Sequence, residues 1–130
     1  MLLDTSGLLC LMHEAEASHK QAVSLYRTSH QRLTTSYVLT EYVALATTRR
    51  LPRRTVLAFT EAFSNDPAVE VIWVNEALHR EAVSLLLRRQ DKTYSLCDAV
   101  SFVLMRRYGI TEALTTDHHF EQEGFRRLLT

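Results

Sequence analysis

Four acidic residues of this 130-residue chain stand where a carboxylate is hard to explain as a solvated surface group. Asp4 interrupts the apolar opening MLLDTSGLLCLM, and Asp117 follows the run EALTT. Glu41 has Tyr37, Val38, Ala44 and Leu45 three and four residues away, so on a helix it is expected to share the buried face. Asp98 sits among Leu96, Cys97, Ala99, Val100 and Phe102, at the start of the most apolar helical stretch. Burying a carboxylate is expensive unless it is paired or binds a metal. If the four converge, like charges a few Å apart cannot all stay ionised in a dry pocket. A divalent cation resolves that repulsion. Carboxylate oxygens are hard ligands that suit Mg²⁺ or Mn²⁺ over Zn²⁺. Such ions activate water and clamp a phosphodiester for in-line attack.

Each acid also has a simpler role open to it. Asp4 and Asp117 both precede expected helices, where an Asp N-cap contributes about 1 kcal/mol. Ser95-x-x-Asp98 has the spacing of a capping box. Glu41 can reach solvent from the edge of its helix face. Thr5, Ser6, Ser95 and Thr116 flank the acids, and their hydroxyls suit either the orientation of a carboxylate or water, or plain helix-start chemistry. His118 and His119 are adjacent, so their side chains are expected to diverge, and no Cys or His stands nearby at zinc spacing. Asp91 lies in a polar loop and is expected in solvent. Gly7 stands alone, without the companions of a phosphate-binding loop.

The elements that must position these acids alternate. Short strands are expected at 1–3, 32–35, 69–74, 112–115 and 125–128. Val69–Val74, VEVIWV, is the clearest of them by its β-branched and aromatic content. Helices are expected at 5–12, 16–29, 37–50, 52–63, 76–89, 96–108 and 118–123, with Gly109 closing the sixth. Ser64–Pro67 is turn chemistry. Alternation of this kind predicts a three-layer α/β/α sandwich around a central, mainly parallel sheet. Ligand crevices in such sheets lie outside the carboxyl ends of the strands, which is where Asp4 and Asp117 fall.

Composition narrows the class. A hydrophobic content of 46% fits a globular chain, and 130 residues fit one domain over 1–130. Fifteen basic and fifteen acidic residues cancel, which excludes a bulk nucleic-acid coat or polybasic anchor. Cys10 and Cys97 lie in apolar helical patterns and read as buried free thiols of a reducing cytoplasm. No apolar run approaches the ~20 residues that span a bilayer. Setting the four acids aside leaves fifteen basic against eleven acidic residues. Lys20 and Lys92 are the only lysines, so the other basic residues are all Arg, which suits bidentate phosphate contacts. Many stand in pairs, three of which close helices, where cations complement the macrodipole. Arg49, Arg50, Arg53 and Arg54, around the turn between two helices, are the expected contact for RNA or a partner.

Four stretches, LDTSGLL, TTSYVLTEYVAL, YSLCDAVSFVLM and ALTTDHHFEQEGF, resemble in order the acidic motifs of PIN-domain nucleases, notably the VapC-type toxins of bacterial toxin–antitoxin pairs. The resemblance spans essentially the whole chain. It implies a Rossmann-like fold and metal-dependent cleavage of RNA to 5′-phosphate and 3′-hydroxyl ends. Asp4, Glu41, Asp98 and Asp117 would be the catalytic, metal-site acids. It further implies an antitoxin partner and a homodimer. The strand before Asp4 is shorter than is usual in that family. Two other outcomes fit the same motifs: a housekeeping RNA-processing nuclease, or a PIN-like binding module without turnover. A phosphatase-like aspartate nucleophile fits poorly, because Ser6 stands where its second acid belongs. A receiver-type acidic pocket lacks the adjacent acids and late Lys.

Overall fold

The computed structural model describes Met1–Thr130. The elements run β1 (Leu2–Leu3), α1 (Thr5–Met12), α2 (His19–Thr28), β2 (Leu33–Thr35), α3 (Ser36–Thr48), α4 (Arg53–Ser64), β3 (Glu70–Ile72), α5 (Glu76–Leu87), α6 (Leu96–Tyr108), β4 (Glu112–Leu114), α7 (His119–Gln122) and β5 (Arg126–Arg127). All four strand pairings are parallel, and the order is β3-β2-β1-β4-β5. Helices cover both faces, giving the expected three layers. After β1 the chain moves outward through β2 to β3, then returns to place β4 on the other side of β1. The crevice between β1 and β4 is therefore the topological switch point of the sheet.

β1 is only two residues long, yet it holds the centre. Successive side chains of a strand point to opposite faces. Leu3 joins the core under α1, α3 and α4, whereas Leu2 joins the core under α5 and α6. Both are fully buried, each contributing roughly 2 kcal/mol. The register Leu2↔Ala113 and Leu3↔Leu114 repeats the division on β4. The second core is closed by aromatic edges: Phe102 meets Tyr94 at 5.0 Å and Phe120 at 4.9 Å between ring centres.

Helix starts follow their caps. Thr35, Asn75 and Ser95 accept from the amides of Val38, Leu78 and Asp98. Gly109 ends α6 at φ 66°, with its amide bonded to the Arg106 carbonyl and that of Ile110 to Met105, a Schellman closure. Arg50 closes α3 the same way at φ 57°.

Several expected boundaries shift. α2 begins at His19 rather than residue 16, because the His19 Nδ1 lies 2.8 Å from the Cys10 carbonyl and residues 14–18 turn. β3, read as the clearest strand, is an outer strand with one neighbour: Glu70 is exposed, and Trp73 just beyond it is 67% exposed. Cys10 and Cys97 are buried and unpaired by disulfide. No helix is long and apolar enough to cross a membrane.

Candidate metal centre

The shared register of β1 and β4 brings the first and last acids together. Leu3 pairs with Leu114, so Asp4 stands level with Thr115. The Asp4 amide donates to the Leu114 carbonyl at 3.2 Å. Asp4 occupies the N-cap position of α1, yet its side chain caps nothing. Its Oδ2 accepts from the Thr115 hydroxyl at 2.9 Å, while Oδ1 is buried without any partner. The capping role open to Asp4 in the sequence is thus not the one it performs.

Thr115 is the hub of a small network that sequence reading missed. Its hydroxyl proton goes to Asp4, so its contact with Ser6 Oγ at 3.1 Å makes Ser6 the donor there. Ser6 Oγ in turn accepts from the Thr116 amide at 3.0 Å, and Thr115 Oγ1 accepts from the Asp117 amide at 3.0 Å. Thr116, expected to orient an acid through its hydroxyl, takes part through its backbone; side chains alternate along the chain, and it is Thr115 that faces Asp4. Thr5 is buried, and its hydroxyl makes no hydrogen bond. Gly7 also gains a meaning the sequence did not reveal. A Cβ there would sit 1.9 Å from the Leu114 carbonyl oxygen, so only Gly lets α1 lie this close to β4 and keep Ser6 in reach.

Asp98 enters from α6, on the other side of the crevice. The capping box is present: Ser95 Oγ accepts from the Asp98 amide, and Asp98 Oδ2 accepts from the Ser95 amide, both at 3.0 Å. Asp98 remains 6% exposed and faces other acids. Asp117 accepts from the His119 amide at 2.9 Å, a local turn that starts α7. Glu41 corrects an expectation. The buried face of α3 is Val38, Leu39, Tyr42 and Ala46, and Glu41 sits half-buried on its shoulder, because Ala44 faces solvent. From there it lines a cavity of about 360 Å³ with Tyr37, Thr40, Ala44 and Cys97.

His119 also belongs to this centre. Its Nδ1 lies 3.2 Å from Asp117 Oδ1 and 3.6 Å from Asp98 Oδ2. Ligand atoms of Asp98, Asp117 and His119 lie within 4.8 Å of one another. The expected divergence of the two histidines is not seen; their rings are 5.0 Å apart, because both follow the turn made by Asp117. A His two residues after an acid of the motif, as His119 follows Asp117, is the signal that could have marked it.

The electrostatics are one-sided. Burial, then the charge of Asp98, and further off that of Glu41, push the Asp4 carboxyl up to about 7. Burial also raises Asp98, with Asp117 and Glu41 adding repulsion against the pull of the Ser95 amide. Burial raises the Cys97 thiol well above its usual range, with Glu41, Asp4 and Asp98 beside it. No Arg or Lys forms an ion pair with Asp4, Glu41, Asp98 or Asp117. An orphaned, buried carboxylate oxygen under the charge of Asp98 and Glu41, beside the ligand-spaced group of Asp98, Asp117 and His119 that Asp4 itself does not join, fits a divalent cation of the Mg²⁺ or Mn²⁺ type.

The other candidates lie elsewhere. Arg50, Arg53 and Arg54 are exposed without an acidic partner, whereas Arg49 is tied to Glu16 at 2.6 Å. Asp91 is exposed, 3.5 Å from Lys92.

Comparison with known proteins agrees with this architecture. The PIN domain family model matches residues 1–125. The 23S rRNA-specific endonuclease VapC20 of Mycobacterium tuberculosis, in strains CDC 1551 / Oshkosh and ATCC 25618 / H37Rv, is 32% identical over 126 residues, covering 96% of this chain and 95% of the relative. The crystal structure of Mycobacterium tuberculosis VapC20, described as a sarcin–ricin loop cleaving toxin, matches with a TM-score of 0.89 at 30% identity. That match covers 99% of this chain and 98% of the other.

Proposed function

Because the chain belongs to the PIN domain family, we propose that it is a metal-dependent endoribonuclease acting as the toxin of a toxin–antitoxin pair. The single observation that carries this is Asp4: buried, unpartnered at Oδ1 and pressed by Asp98 and Glu41 at the switch point of a parallel sheet. Mg²⁺, or Mn²⁺ in its place, would be held by Asp4, Asp98 and Asp117, and when bound supplies charge neutralisation and a more acidic water. Glu41, half-buried on α3 beside a cavity it lines with Cys97, would complete the cluster or orient the attacking water. Thr115 and Ser6 hold the Asp4 carboxylate at a fixed angle. Ser95 does the same for Asp98.

The substrate is RNA, and the relative's name makes 23S rRNA, at its sarcin–ricin loop, the first target to assay. Arg50, Arg53 and Arg54, with Arg49 beside them, offer phosphates an exposed basic turn. The protein acts in the cytoplasm as a homodimer and is restrained by an antitoxin. The test is incubation of the protein with 23S rRNA and Mg²⁺, beside Asp98→Asn and a chelator control. Cleavage is expected for the unaltered chain alone, and only with metal. Cleavage that survives both Asp98→Asn and chelation would overturn the assignment.

A further inference from the structure

We propose that His119 is a ligand of the bound metal ion through Nδ1, which makes the centre a mixed nitrogen–oxygen site that prefers Mn²⁺ over Mg²⁺. This deepens the nuclease reading and rests on it. Three observations carry it. First, Nδ1 is buried and has no hydrogen-bond partner. Oxygens of Asp117 and Asp98 lie 3.2 Å and 3.6 Å away, the nearer too poorly aligned and the farther too distant to take a hydrogen bond from the ring.

Second, the spacing is that of neighbouring ligands. Two cis ligands of an octahedral ion with bonds of about 2.1 Å stand about 3 Å apart. The two nitrogen–oxygen separations approach that edge length, and the shorter one is set by the turn in which Asp117 Oδ1 also accepts from the His119 amide, so the fold itself holds these ligand atoms at that spacing. Third, the far side of the ring is tied down. Nε2 lies 3.0 Å from Thr93 Oγ1, which can accept its proton. Metal-binding histidines characteristically donate the second ring N–H to an outer partner, which fixes the tautomer with a free lone pair on the inner nitrogen. The Tyr94 ring, edge-on at 5.5 Å, holds the imidazole plane.

Asp4 supplies an independent sign that an ion belongs here, since its Oδ1 is orphaned on a residue only 4% exposed. The consequence is selectivity. Mg²⁺ favours an all-oxygen shell, whereas imidazole suits transition metals more than it suits Mg²⁺.

The experiment uses the full-length protein with MnCl₂ alone, read by pulsed electron paramagnetic resonance. Hyperfine coupling to ¹⁴N is expected, and it should change to the ¹⁵N pattern when the protein carries ¹⁵N-labelled histidine. His119→Gln should abolish the coupling, weaken Mn²⁺ binding by about tenfold or more, and reduce the Mn²⁺:Mg²⁺ affinity ratio. Thr93→Val should keep the coupling and weaken Mn²⁺ binding several-fold. Mn²⁺ that binds, is lost in Asp98→Asn, and shows no nitrogen coupling in the unaltered chain would overturn the ligand assignment while leaving the nuclease reading intact. A chain that binds neither Mn²⁺ nor Mg²⁺ would overturn both.

Discussion

Two carboxylates in this protein are buried to a similar degree and live in opposite worlds. Glu123 is 8% exposed and Asp4 is 4% exposed. Around Glu123 the fold gathers cations: Arg106 at 2.6 Å, Arg89 at 3.0 Å, and the Tyr94 hydroxyl at 3.2 Å. Although burial opposes it, hydrogen bonds and charge from Arg106 and Arg89 hold its carboxyl below the usual range. Around Asp4 the fold gathers more acid, and one oxygen is left without a partner. Depth alone does not tell a structural carboxylate from a functional one. The sign of the neighbours does, because a buried charge that the fold leaves uncompensated awaits a counter-ion from outside.

The sharpest test exchanges charge for amide at each position. Asp4→Asn should lower RNA cleavage by ~10³-fold, about 4 kcal/mol of transition-state stabilisation. It should not lower the thermal midpoint of the metal-free protein, since a neutral amide relieves the repulsion from Asp98 and Glu41. Glu123→Gln should do the reverse. Breaking a buried ion pair costs about 3–5 kcal/mol. Here the Arg side chains are 37% and 48% exposed and regain water, so a loss of about 2 kcal/mol is expected, with cleavage per folded molecule unchanged. Thermal melts beside a cleavage assay separate the two. Equal loss of both properties in Asp4→Asn would make Asp4 structural after all.

The two sites should also respond to pH with opposite signs. Asp4 has a folded value of about 7, above its ordinary 3.8, so the folded chain holds a proton that the unfolded chain releases. That contribution favours folding at low pH and is lost as pH rises from about 4 to 7. Glu123, held below its ordinary 4.5, stabilises the fold above that value and loses its effect as pH falls through its lowered one. Urea melts of metal-free protein between pH 5 and 8 should show stability falling with pH, and Asp4→Asn should flatten the slope. A divalent ion must displace the Asp4 proton, so Mg²⁺ affinity by calorimetry should rise by up to about tenfold per pH unit below 7 and level off above it.

Much of the site was legible because it rides on pattern. Asp4 and Asp117 each follow a strand, and the parallel-sheet rule places both at one edge. Ser95 and Asp98 announce their own capping box. What the sequence withheld depends on register and close approach. Thr115 rather than Thr116 meets Asp4 only because Leu3 pairs with Leu114, a pairing no local pattern states. Gly7 matters only because the Leu114 carbonyl lies over it. Strand propensity misled in a related way: VEVIWV suits pleated geometry but lies at the rim, whereas Leu2–Leu3, too short to stand out, is the fully buried centre. Propensity reports local fit, while position in the sheet is set by the other strands.

The contrast between compensated and uncompensated charge extends to the cations, where the effect should be smallest. Arg126 is paired with Glu112 at 2.9 Å and Arg127 with Glu121 at 2.8 Å. Arg53 and Arg54, at the exposed start of α4, have no such partner. Surface pairs contribute little to stability, so all four positions should tolerate substitution in the fold. Their difference should surface only against a polyanion. Removing one cation from a phosphate lowers the slope of log affinity against log salt by about 0.7 for a single strand. Arg53→Glu with Arg54→Glu should therefore weaken RNA binding several-fold and flatten that slope by about 1.4 for two cations. Arg126→Glu, whose cation already has an acid beside it, should change the slope much less. Filter binding of RNA to Asp98→Asn protein across a salt series, which blocks cleavage during the measurement, reads both. Equal slopes in the two variants would show that the basic turn between α3 and α4 does not touch the RNA phosphates.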